Sequence, residues 1–167
     1  MTTTHSPFNS EQEARFEKIL ARYVVAAAGT GAIPVPLSSA AIVVENAAMI
    51  THFSAVARRP LELKQVLEVL GLSGTLNIFG KTIFLEGAKT LLTFTGAGTP
   101  FLVGLCALGA ATAGLQTYLL GLTCLAILRS GRDFLTAAEI KRLAALAKET
   151  YGQFLKHARS LTVLAKA

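Results

Sequence analysis

From Thr90 to Leu128 the chain runs 39 residues without a formal charge. Within it, Phe101–Leu128 is 28 residues long, and about 20 apolar residues suffice to cross the hydrocarbon core of a bilayer. A helix of this kind has two homes, a membrane or the centre of a helical bundle. One face carries a row of small residues, Ala107, Ala110, Gly114, Thr117, Gly121 and Cys124, spaced alternately by three and four. Small residues let a second backbone approach closely, which is how helices pack where water supplies no hydrophobic drive. A larger row, Leu105, Leu108, Leu115, Leu119 and Leu122, lies beside it. The row of small residues is therefore read as a helix-packing face, for a partner or a second copy of the chain.

Composition agrees with the membrane reading. Charged residues are 16% of the chain and apolar residues 52%, whereas soluble domains carry roughly 25% charged residues. Basic residues bracket the apolar regions: Arg22 and Arg58-Arg59 around the first, Lys89 and Arg129 around the second. Each region then leaves and returns on the same side, which the positive-inside tendency makes the cytoplasm. The expected architecture is all-α, a single domain of about five to six helices with one or two hydrophobic membrane hairpins. Its first nine residues are expected to be flexible, and both termini cytoplasmic.

Local signals place the helices. Ser10 and Glu13 have capping-box spacing, and Phe16, Ile19, Leu20, Tyr23 and Ala27 follow with helical periodicity. Gly29-Thr30-Gly31 predicts the end of that helix. After Pro34-Val35-Pro36, a second helix is expected from about Leu37 to Ala57. Pro60 opens a short amphipathic helix that Gly71 closes, and a further helix is expected over 77–94. Gly96–Pro100 breaks it. Thr136 and Glu139 form another capping box, starting an amphipathic tail with Ile140, Leu143, Ala147, Tyr151, Phe154, Ala158 and Leu161 inward. The tail, 129–167, holds eight basic and three acidic residues. Arg129, Arg132, Lys141, Arg142 and Lys148 make it a basic surface suited to the cytoplasmic face of a membrane or to an acidic partner.

The residues point away from catalysis. Phe79-Gly80-Lys81-Thr82 resembles the end of a phosphate-binding loop, but Thr75 stands where the loop needs its first glycine. His5, His52 and His157 match no metal-ligand spacing. No cofactor is expected. Basic residues interleaved with exposed aromatics, which nucleic-acid binding needs, are absent from the tail. Ser38, Glu45, His52 and Arg59 recur every seven residues as a polar stripe on the second helix, and Glu45 with His52 is its remaining candidate polar feature. Seven residues apart, they stand roughly 10 Å from each other, too far to hydrogen-bond directly. Within a membrane they would mark an ion or proton path, because a carboxylate there must be paired, protonated or wet. At a bundle surface they are a polar edge.

Ala26-Ala27-Ala28, Ile33-Pro34-Val35-Pro36, Met49-Ile50, Ala111-Thr112-Ala113-Gly114, Thr117-Tyr118-Leu119-Leu120-Gly121 and Phe134-Leu135-Thr136-Ala137-Ala138-Glu139 follow one another in order. In this the chain resembles a bacterial family of hydrophobic helical domains of unknown function, found beside or fused after Era-like GTPase domains, some in the inner membrane. The resemblance covers roughly residues 20–155 and implies membrane association and a GTPase or envelope partner. It brings no catalytic residues. The expected function is a non-enzymatic membrane anchor, scaffold or accessory subunit. An oligomeric pore and a soluble helical module with an apolar pocket stand as alternatives.

Overall fold

A computed structural model describes residues 7–33, 38–72 and 99–164, with side chains for 7–33, 41–70 and 106–161. The proline connector, the expected helix over 77–94 and the phosphate-loop look-alike lie outside these residues. So does the first arm of the second hairpin. Among the described residues every regular element is a helix: α1 (Ser10–Ala32), α2 (Ser38–Ala57), α3 (Leu63–Leu72), α4 (Thr99–Ser130) and α5 (Ala137–Leu164).

The start of α1 corrects the sequence reading by one residue. Asn9, not Ser10, is the cap: its side chain accepts from the Gln12 amide at 2.8 Å, and Gln12 Oε1 accepts from the Asn9 amide at 3.1 Å. Asparagine caps as well as serine does, and two overlapping boxes compete here. Glu13 is thereby released for a distant partner. Phe8, expected in a flexible lead-in, packs edge-on against Phe16 at 5.0 Å.

The end of α1 is a second correction. The helix passes through Gly29-Thr30-Gly31 to Ala32. Gly31 is there for packing: a Cβ on it would lie 2.6 Å from the Gly109 carbonyl oxygen and 2.6 Å from Ala113 Cβ. The glycine lets α1 and α4 touch backbone to backbone.

Helix α2 ends at Ala57, as expected. Arg58 takes a left-handed φ of 53°, its amide donating to the Ala55 carbonyl and the Arg59 amide to the Ser54 carbonyl. That is the paired closure of a Schellman end, built without the usual glycine. Helix α3 starts three residues after Pro60 because Leu61 is buried first, its carbonyl accepting from Ser54 Oγ. Helix α4 starts at Thr99 and keeps Pro100 in its first turn, where a missing N–H is harmless. Gly131, at φ 68°, ends it.

Helix α4 is the centre. It runs antiparallel to α1, with Glu13 beside Arg129 at one end and Gly31 beside Ala113 near the other. Helix α2 is antiparallel to α1, Phe16 meeting Phe53 edge-on at 5.6 Å. Helix α5 lies across α1 and α4, Phe154 stacking on Tyr118 at 4.4 Å and His157 reaching Glu17 at 3.1 Å. Phe16, Leu20, Val24, Met49, Ile50 and Phe53 join Leu119, Leu120, Ile127 and Ile140 in one buried cluster. Each such side chain contributes about 1.5–3 kcal/mol by leaving water.

Cys106–Ser130 is long and apolar enough to cross a membrane, judged by length and composition, yet 72% of its most apolar stretch is covered by the rest of the chain. The fold is thus a helical bundle whose apolar helix is largely enclosed.

Glycine substitutions test this packing by thermal or urea unfolding. Gly31→Ala should destabilise by about 1–3 kcal/mol, because the atoms it strikes include backbone. Gly29 and Gly152 face open space in helices, so Ala at either should stabilise by about 0.5–1 kcal/mol. Equal effects at all three would contradict the close α1–α4 crossing.

Candidate functional site

Three sets of residues were singled out from the sequence, and the bundle treats them differently. In the small-residue row, Gly114, Thr117, Gly121 and Cys124 are buried, Ala110 is half-buried and Ala107 is exposed. The buried part is filled by the chain's own helices. A Cβ at Gly121 would strike Leu20 Cδ1 of α1, and one at Gly114 would strike the Tyr151 hydroxyl of α5. Thr117 Oγ1 donates to Asn46 Oδ1 of α2 at 2.9 Å. Tyr151 OH has no hydrogen-bond partner among the described residues, and its burial pushes the phenol pKa up.

Glu45 and His52 do not meet. Glu45 is half-buried against α1, where Thr30 Oγ1 donates to its Oε1 at 2.8 Å. Its Oε2 is buried without a partner among the described residues. His52 is exposed, its Nδ1 3.0 Å from the Tyr23 hydroxyl. The pair is a polar seam between α1 and α2. Among the described residues no three metal-ligating side chains come together.

The basic set is where the structure builds a concave site. Arg129, Arg132 and Arg142 line one groove of about 750 Å³ between the end of α4 and the first half of α5. Lys141 and Lys148 are exposed elsewhere on α5. The groove also has Pro7, Glu13, Ser130 and Glu139, and its apolar lining comes from Ala126, Leu135, Leu143 and Leu146. Volumes of about 300–1,000 Å³ are usual for small-molecule sites.

Arg129 and Arg132 are each held by a traceable cause. Antiparallel packing sets the first turn of α1 against the last turn of α4, so Glu13 and Arg129 suit the opposite helix dipoles they sit on. They pair as a fork, Nε–Oε1 at 3.2 Å and Nη2–Oε2 at 2.5 Å. Arg132 reaches Glu139 at 2.6 Å. Glu139 is itself fixed by the capping box foreseen from sequence: it accepts from the Thr136 amide at 2.7 Å and the Thr136 hydroxyl at 2.8 Å. These bonds, the backbone one foremost, and Arg132 after it, hold the Glu139 carboxyl at about 2, below its usual 4.5. The loop before α5 is pinned from outside by Arg59, which pairs with Asp133 at 2.6 Å, and by Gln65, which donates to the Asp133 carbonyl at 3.1 Å. Arg142 is exposed and has no ion pair among the described residues.

Local sequence rules found Arg129, Arg132, Arg142 and the capping box but missed Glu13 and Pro7. Glu13 lies 116 residues from Arg129, and only the antiparallel crossing joins them. No family model, curated protein or solved structure matches the chain.

The Glu139 carboxyl gives a pH prediction. Its folded pKa is depressed, so its stabilisation is present above about 4.5 and lost as pH falls through about 2. An NMR titration should find its midpoint near 2. Arg132→Ala should raise that midpoint yet leave it below 4.5, since the Thr136 amide bond persists. A midpoint at the usual value in the wild type would mean that the α5 cap does not form.

Proposed function

We propose that this chain is a non-enzymatic, membrane-associated helical protein that acts as an anchor or scaffold, touching the bilayer with one end of its bundle. The observation that carries this is a cluster of exposed apolar side chains. Ile33, Val43, Val44 and Leu108 are large, apolar and exposed; Phe134 and Leu146, also exposed, lie apart from them, on the loop before α5 and on α5. They sit on the end of α1, the start of α2 and the start of α4, which the antiparallel packing brings to one end of the molecule. The ion pairs of Glu13, Arg59, Arg129 and Arg132 lie at the other. Helix α5 turns Lys141, Lys148, Lys156 and Arg159 outward along its length. Such a helix is costly to bury in hydrocarbon, so membrane contact belongs to the apolar end and not to α4 as an isolated span. The basic α5 surface then faces the cytoplasm, where the GTPase or envelope partner implied by the family resemblance would dock.

The covering of α4 favours a second reading, a soluble helical binding module with no membrane contact. An oligomeric pore built on the row from Ala107 to Cys124 is not favoured, because it would have to displace Leu20 and Tyr151 from that row.

Flotation with phospholipid vesicles separates the readings. The wild type should float, and Val43→Asp with Val44→Asp should lose most flotation while keeping its helical content, because both positions are exposed. A wild type that stays at the bottom of the gradient supports the soluble module. Undiminished flotation of the double variant would remove the apolar end from the contact.

A further inference from the structure

We infer that the groove between α4 and α5 binds a single-chain anionic amphiphile, its charged headgroup on Arg142 and its alkyl chain along Leu143 and Leu146. The groove lies at the charged end of the bundle, opposite Ile33, Val43 and Val44, so this site is separate from the proposed membrane contact.

Two observations converge on that chemistry. The first is charge. Three guanidiniums face two carboxylates across the groove, and both carboxylates are engaged, Glu13 by Arg129 and Glu139 by Arg132. One guanidinium is left without a carboxylate, that of Arg142, which suits an anionic headgroup. Guanidinium is the side chain that meets carboxylate or phosphate through two parallel N–H bonds. The second is the lining. Leu146 is 45% exposed beside Arg142, an arrangement that leaves an alkyl-sized surface in water. Leu135 closes the inner wall. An inorganic anion would use the arginines and leave the leucines wet; a neutral lipid would use the leucines and leave Arg142 unpaired. A molecule with both features satisfies both.

The inference is one of binding. Arg142 sits four residues before Leu146 on α5, one turn apart on the same face, so headgroup and chain contacts come from one rigid helix.

The test uses dodecyl phosphate below its micelle concentration, titrated calorimetrically into the full-length protein. Saturable one-to-one binding is expected. Arg142→Ala should weaken it roughly tenfold, the loss of one charge-assisted contact. Leu146→Ser should weaken it roughly fivefold or more. Both residues are exposed, and unchanged thermal unfolding verifies that the variants fold. Inorganic phosphate and dodecyl maltoside should fail to compete at matched concentration. Full competition by inorganic phosphate would reduce the groove to an anion site and overturn the inference. Equal binding of dodecyl maltoside, or no binding of dodecyl phosphate, would overturn it too, as would an acidic peptide that binds there when dodecyl phosphate does not. Arg142→Ala should leave vesicle flotation unchanged, so failure of this site and failure of the membrane reading are told apart.

Discussion

The crossing of α1 over α4 at Gly31 is the contact on which the other helices depend. With no side chain at Gly31, the α1 backbone reaches Gly109 and Ala113 directly. That depth brings Leu20 over Gly121 and Ala28 towards Gly114, and it sets the register that pairs Glu13 with Arg129. Helices α2 and α5 cover two further sides of α4 through Asn46, Met49, Tyr151 and Phe154. Dispersion forces at such short range are small per atom pair and large in sum. A wider separation would cost many pairs at once. The apolar helix is enclosed as a result, and a composition that suits a membrane span serves here as the axis of a bundle.

The same crossing shows where sequence reasoning reached its limit. Inward positions of α1 and α5, the Thr136–Glu139 cap and the length of α4 were legible, because helical periodicity and capping depend on neighbours within four residues. Gly31 was misread as a stop because a glycine inside a periodic run has two meanings. It ends a helix when the chain turns left-handed, and it admits a neighbour when the helix continues, and only the neighbour decides. The spacing of the small-residue row does not tell its occupant: Leu20 and Tyr151, which lie against Gly121 and Gly114, are far away in sequence. Glu13 was assigned to the local cap because Ser10 offered one, and Asn9 offers an equal one a residue earlier. In the groove, the arginines were visible as a basic tail and the cavity was not, since concavity arises from the meeting of α4, α5 and Pro7.

Ile33, Val43, Val44 and Leu108 form an exposed apolar cluster at one end of the bundle, while Phe134 and Leu146 are exposed at the other. There, ion pairs lock helix ends and loops together around a groove. Helix dipoles contribute to this sorting, since acidic residues gather in the first turns of α1 and α5 and Arg129 in the last turn of α4.

The account's central claim is that α4 stays enclosed when the protein is on a membrane. A carbene-generating probe that partitions into lipid, photolysed on the vesicle-bound protein and mapped by mass spectrometry, tests it directly. Labels confined to Ile33, Val43, Val44, Leu108 and their neighbours are the predicted result. Labels distributed along Thr117 to Leu128 would mean that α4 faces lipid and that α1 and α5 leave it, which contradicts the account.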